Sequence, residues 1–367
     1  MSTVGTNTLA EPRKNLDGFG FEEIEARLLA AFAQGKAPPG MLFSGAQGIG
    51  KATFAFRLAR FFLYHKERVF DKQETLALPL ADDDPQTALR ASGVARRVAS
   101  GGHGDLFVLE RGLNKEKEKA KSITVDDVRR ATQFLKKTPF EGGWRIVIVD
   151  TADDLNKNAA NALLKALEEP PSRSLVILVA ERPDQLPATV LSRCHKFVMQ
   201  APPLAVCDRI LETQIPDLAE RQLLLRLAEG SPGLAWRYHE MKGKALYEAV
   251  LSFLKLVVQH QGNRAILPLQ RHLGAEGEGF DIWLRLLHGV LPRMLRGTFS
   301  PPADTLSVVA AHPLEQEVFQ LMQRHPISLW LQRWQQMDAF LTQAAIYHLD
   351  WRQVVEGIVY ILEGRHL

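Results

Sequence analysis

Five short apolar runs, each followed by turn residues and a helical pattern, constrain this chain more than any other feature. They cover residues 40–44, 105–109, 145–150, 174–180 and, shorter, 195–199. In Ile146-Val147-Ile148-Val149 and Leu175-Val176-Ile177-Leu178-Val179 every position is β-branched or leucine, not every second one. Such strands must be covered on both faces, and their alternation with helices predicts an α/β fold around a parallel sheet. The helix ends are readable. Thr124 with Asp127 three residues on makes a capping-box start for a helix to Lys137, with Pro139 beyond it. A helix over 156–169 stops at Pro170-Pro171, because proline has no N–H and crowds the preceding turn. Residues 64–104, with Asp82-Asp83-Asp84-Pro85 and Ser100-Gly101-Gly102, read as an excursion from the sheet.

After about Gln200 no strand pattern follows. Ala201-Pro202-Pro203 reads as a linker, residues 204–239 as a small helical unit broken at Gly230-Ser231-Pro232-Gly233, and everything from Gly243 as helix, divided at Pro301-Pro302. The plan is an α/β domain over 1–200, a helical lid over 201–242 and a helical bundle over 243–367. A length of 367 residues, at roughly 150 per domain, suits two or three such parts.

Composition excludes several classes. With 46% hydrophobic and 24% charged residues the chain is ordinary globular material. Lys plus Arg total 45 against 42 for Asp plus Glu, so a net +3 gives no global nucleic-acid signature and leaves room for a local one. Cys194 and Cys207 are the two cysteines, too few for a four-thiolate zinc site or a disulfide framework, and they suit a reducing cytosol. The run 175–180 is far shorter than the ~20 residues that span a bilayer, and residues 1–20 carry no apolar signal core. A cytoplasmic chain without membrane contact is expected.

The chemistry concentrates at Gly45-Ala46-Gln47-Gly48-Ile49-Gly50-Lys51, between the first strand and its helix. In that context Gly45, Gly48 and Gly50 let backbone N–H groups converge on phosphate oxygens, the helix N-terminus adds positive potential, and Lys51 would meet the β and γ phosphates. Such loops normally continue with Ser or Thr, whose hydroxyl ligates Mg²⁺. Here Ala52 follows, and Thr53 is one place late, about 100° further round the helix. Asp150 ends an apolar strand as a Walker-B aspartate does and could hold Mg²⁺ or its water, but the next residue is Thr151, where an active ATPase carries glutamate. Asp153 is too far round the turn to replace it, and Asp153 or Asp154 is expected to favour the start of the next helix. ATP or ADP binding through backbone and Lys51 is left open, metal-assisted turnover is not expected, and no metal site is assigned.

Residues 158–171, Asn-Ala-Ala-Asn-Ala-Leu-Leu-Lys-Ala-Leu-Glu-Glu-Pro-Pro, with Leu191-Ser192-Arg193-Cys194, closely resemble AAA+ clamp-loader subunits. The degenerate loop Gly48-Ile49-Gly50-Lys51-Ala52-Thr53 narrows the resemblance to the delta-prime branch of bacterial DNA polymerase III. Pro12-Arg13-Lys14-Asn15, Gly18-Phe19-Gly20, Val125-Asp126-Asp127-Val128-Arg129 and Gly230-Ser231-Pro232-Gly233 extend it over roughly 12–235. The resemblance implies a P-loop AAA+ module, a lid and an all-α collar. It implies a subunit of a hetero-pentamer that places a sliding clamp on primed DNA, within a DNA polymerase complex. It also implies that the chain does not hydrolyse ATP but supplies an arginine finger, Arg193, to a neighbour's ATP site, with no cofactor required.

Three positions depart from the pattern of active or zinc-bearing members. Residues 64–104 contain no cysteine, so the four-cysteine zinc module of many relatives is not carried over. Leu234 stands where a nucleotide-sensing arginine is usual, and Ala180-Glu181 lacks a polar sensor. The competing readings are a working ATPase, either a clamp-loader motor or a branch-migration type, and more distantly a P-loop small-molecule kinase. The helical second half and the lack of an acceptor-binding constellation weigh against the kinase. Among other signals, Arg111, Lys115, Lys117, Lys119 and Lys121 alternate with Glu116 and Glu118, which reads better as a solvated loop than as a DNA contact. His103 and Asp105 suit a loop–strand junction better than a metal pair. Cys194 has no catalytic partners around it, and Trp330, Trp334 and Trp351 read as bundle core.

Overall fold

The computed structural model describes residues 11–16, 20–34, 38–65, 92–111, 122–273, 277, 279–299, 312–347 and 349–364. They form two compact units, one of residues up to Cys207 together with Ser231–Gly233, the other of Asp208–Gly230 and Leu234–Leu367.

The first unit begins with α1 (Glu22–Ala33), which starts with three acidic residues in its first turn and no capping side chain. Next come β1 (Gly40–Ser44), α2 (Lys51–His65), α3 (Gly93–Ala99), β2 (Leu106–Leu109), α4 (Val125–Leu135) and β3 (Arg145–Asp150). α5 (Lys157–Glu168), β4 (Ser174–Ala180), the short α6 (Ala188–Leu191) and β5 (His195–Val198) complete the α/β part. Among the described residues the strands form one parallel sheet in the order β2-β3-β4-β1-β5. The α/β class expected from uniformly apolar strands is therefore what the structure shows.

The sheet has two covered faces, and the strand period of two sorts the residues between them. Met41, Phe43, Ile146, Ile148, Leu175, Ile177 and Val179 pack with Leu28 and Phe32 of α1 and Phe54, Phe61 and Phe62 of α2. Leu42, Val147, Val149, Val176 and Leu178 face Val128 and Ala131 of α4 and Ala159, Ala160, Leu163 and Leu167 of α5. α4 starts as the sequence predicts, with Thr124 and Asp127 capping each other's backbone N–H. α5 is capped by Asn156, whose side chain accepts from Ala159 N at 2.9 Å. That differs from the expectation for Asp153 and Asp154, which fall in a separate 3₁₀ turn, Ala152–Asp154. The residue that begins the helix is the one with extended φ/ψ just before it, and that residue is Asn156.

The second unit is helical among its described residues. α7 (Leu204–Leu211), whose first turn lies in the first unit, α8 (Leu218–Leu227) and α9 (Pro232–Glu240) are followed by α10 (Gly243–Val258), α11 (Ile266–Leu273), α12 (Phe280–His288), α13 (Val290–Phe299), α14 (Pro313–Met322), α15 (Ile327–Tyr347) and α16 (Trp351–Glu363). Trp330, Trp334 and Trp351 are buried, as expected, and so is Trp283, which Phe253 meets edge-on at 5.1 Å. Glu315 of α14, 1% exposed, is paired with Arg226 of α8, 2.5 Å away, and with Arg293 of α13 at 4.0 Å, so the buried carboxyl has partners. No described helix is long and apolar enough to cross a membrane.

Candidate functional site

In a parallel sheet all strands end on one edge, so the residues that follow them gather there. The loop after β1, the Asp150 end of β3 and the Ala180 end of β4 are neighbours by register, with Ser44 opposite Ala180 and Asp150 opposite Val179. Gly45, Gly48, Gly50, Lys51 and Asp150 are thus brought together, as read from the sequence. Gly48 and Gly50 adopt φ of 75° and 107°, the left-handed region where a side chain would be strained.

The loop is engaged with its own protein. Lys51 is 5% exposed, and its Nζ donates to the carbonyls of Gly45 at 2.8 Å and Ala46 at 2.6 Å. Burial lowers its pKa, opposed by the charges of Glu181, Asp153 and Asp150. Two more loop carbonyls are taken from the far end of the unit. Ser231 Oγ donates to Gln47 O at 2.6 Å and Gly233 N to Gly48 O at 2.9 Å. The approach is close enough that a Cβ on Gly233 would stand 2.8 Å from Gly48 O.

Asp150 is half-buried at this edge, and Asp153 and Asp154 beside it are engaged with the protein. Burial pushes the Asp150 carboxyl up to about 6, helped by Glu110 and opposed by Lys51. Asp153 accepts from Glu181 N at 2.6 Å and Arg182 N at 3.0 Å, tying the end of β4 to the turn after β3. Thr151 Oγ1 donates to Asp154 Oδ2 at 2.5 Å, and Arg111 Nε lies 2.8 Å from the same oxygen. A threonine hydroxyl spent on a carboxylate cannot polarise water. Arg111 is thereby an intramolecular ion pair, while residues 115, 117, 119 and 121 lie outside the described residues. At the opposite edge Asp105, just before β2, accepts from Phe140 N and Glu141 N at 2.7 and 2.9 Å, the junction role expected of it. No cluster of three or more potential metal ligands occurs among the described residues.

Arg193 is elsewhere. It precedes β5, whose His195 pairs with Met41 at the start of β1, and its carbonyl is 3.3 Å from where a Gly40 Cβ would be. It therefore occupies the N-terminal edge of the sheet. Its Nη2 lies 2.5 Å from Glu168 Oε1, and its Nη1 donates to Thr189 O at 2.9 Å and Ser192 Oγ at 3.3 Å. The neighbouring Cys194 is buried, and burial pushes its thiol up to about 11, which removes it as a nucleophile.

Comparison with known proteins fits these elements. The family model described as DNA polymerase III, delta subunit, matches residues 21–203. DNA polymerase III subunit delta' of Pseudomonas aeruginosa is 36% identical over 45% of this chain and 49% of its own length. The subunit delta' of Escherichia coli K12 is 30% identical over 62% of this chain and 64% of its own length. Over these residues the chain is similar to delta-prime subunits of DNA polymerase III. It spans about half to just under two thirds of the length of these curated relatives. A gamma-subunit-related protein of DNA polymerase III from Thermotoga maritima superimposes over 94% of this chain and 98% of its own, at 16% identity and a TM-score of 0.41, too loosely to carry weight.

Sequence reasoning missed the Lys51 contacts with its own loop, the tie from Ser231 and Gly233, and Glu168 as partner of Arg193. Gly230-Ser231-Pro232-Gly233 stood out as a motif, but nothing local names a partner 184 residues away.

Proposed function

We propose that this chain acts in DNA replication as a clamp-loader subunit that turns over no ATP itself and supplies Arg193 to an ATP site on a neighbouring subunit. The observation that carries this reading is that Arg193 and the phosphate loop stand at opposite edges of one sheet. Five residues of β1 at about 3.3 Å each put roughly 15 Å between those edges. A phosphate at Gly45–Lys51 is out of the guanidinium's reach, so the phosphate it serves belongs to another chain. Arginine suits that task because its planar fork is always charged and matches the charge that develops on a transferred phosphoryl group.

The loop's own state supports the silent half of the reading. Ala52 brings no hydroxyl to Mg²⁺, Thr151 is bonded to Asp154, and Lys51 is bonded to loop carbonyls. Gly45, Gly48, Gly50, Lys51 and Asp150 are on this account vestiges of a nucleotide site, and neither nucleotide nor zinc is required. The partners are the other subunits of a hetero-pentamer, met in part through a collar over 243–367, with a lid over 201–242. The sliding clamp and primed DNA are reached through that assembly, in the cytoplasm.

Steady-state ATPase assays test the reading. The purified chain, with and without primed DNA, is expected to stay far below 1 s⁻¹, a modest enzyme rate. Turnover at or above that rate would establish an active AAA+ ATPase instead.

A further inference from the structure

The contacts of Arg193 are of two kinds. Thr189 O and Ser192 Oγ come from the arginine's own turn, four residues and one residue away, and they move with it. The contact from another element, among the described residues, is with Glu168, the last residue of α5. α5 is itself fixed, because Ala159, Ala160, Leu163, Ala166 and Leu167 are buried in the sheet's core. The packing is tight there, since a Cβ on Gly40 would stand 2.6 Å from the Leu167 side chain. Glu168 therefore connects the guanidinium to the frame of the fold. The two side chains are 35% and 45% exposed, so the pair contributes little to stability, and a neighbour's phosphate can approach the guanidinium.

We propose that Glu168 is the positioning residue of Arg193, setting the pose in which the guanidinium meets the phosphate of a neighbouring subunit. This rests on the finger reading above. Orientation matters because a donor aimed beforehand at developing charge costs no reorganisation during reaction. A carboxylate on one Nη fixes the plane of the fork and leaves donors for phosphate oxygens.

The test uses the clamp loader reconstituted with this chain, reading kcat and KM for ATP at the adjoining site. Glu168→Ala is expected to lower kcat about two- to five-fold, the range of an exposed ion pair, with KM changed less. Glu168→Gln, which keeps one hydrogen bond, is expected to recover most of that loss. In an Arg193→Ala background, Glu168→Ala is expected to change nothing further, because it acts only through the finger. An unchanged kcat in Glu168→Ala, or the same loss persisting without Arg193, overturns the positioning role while the finger reading stands. If Arg193→Ala alone leaves turnover unchanged, both readings fall. A thermal melt of each variant chain matching the parent's keeps unfolding out of the comparison. If Glu168→Ala does not fold, Glu168→Asp takes its place, because a side chain one methylene shorter withdraws the carboxylate from the guanidinium, and an unchanged kcat there overturns the role.

Discussion

The two edges of the sheet in the first unit have the same origin and opposite fates. At the C-terminal edge, Lys51 donates to the carbonyls of Gly45 and Ala46, and Ser231 and Gly233 bond to Gln47 and Gly48. The polar groups of this loop are bonded to one another and to residues 231–233. At the N-terminal edge, Arg193 keeps a third of its side chain in solvent and holds one exposed carboxylate. A functional group is recognised by what its bonds leave available. By that measure the loop's lysine and carbonyls are engaged within the protein, and the guanidinium of Arg193 is the more available group.

That contrast breaks or sharpens under substitution. The largest effect is expected from Arg193→Ala, which should lower turnover at the adjoining site of the reconstituted loader on the order of 10³-fold, while the chain's own melt is unchanged. Assemblies whose other ATP sites are inactivated would show this in steady-state assays. Asp150→Asn comes next and probes the other edge. An acid whose folded pKa is about 6, above its ordinary 3.8, opposes folding when ionised. The chain is therefore expected to lose stability as pH rises from about 4 through 6. Asn should remove that slope and gain on the order of 3 kcal/mol at pH 8, read from urea denaturation across pH. Gly233→Ala would push a Cβ against Gly48 O and is expected to cost about 1–3 kcal/mol. Ser231→Ala, which removes one bond to Gln47 O, should cost about 1 kcal/mol. If both loop variants leave the melt untouched and raise affinity for an ATP analogue, the loop is an occupied-by-default nucleotide site and the contrast dissolves.

How much was legible in the sequence follows from the range of each interaction. The strands at 40–44, 145–150 and 174–180 were read to the residue, because an apolar run bounded by turn residues is a local signal. Those read at 105–109 and 195–199 are each one residue shorter in the structure. The capping box at Thr124 and Asp127 is equally local. α1 was not read, since Phe21 offers no capping atom and only its acidic first turn marks the start. Asp153 was assigned to a helix start and instead bonds the end of β4, 28 residues away. The site divides in the same way. Glycine spacing named the loop, and the Leu-Ser-Arg-Cys stretch named Arg193. No spacing rule brings together Glu168 with Arg193, or Gly48 with Gly233, because those pairs exist only once the sheet and its helices are stacked.

α5 has a wider consequence. Its capped start lies beside the turn that follows Asp150, and its last residue grips Arg193, so 12 helical residues, about 18 Å, join one edge to the other. In mechanical terms it is a push-rod with a load at each end. A rod transmits only what is applied to it. On the function proposed above, the aim of the arginine is decided once, when the chain folds, and does not vary with any ATP cycle of the chain's own.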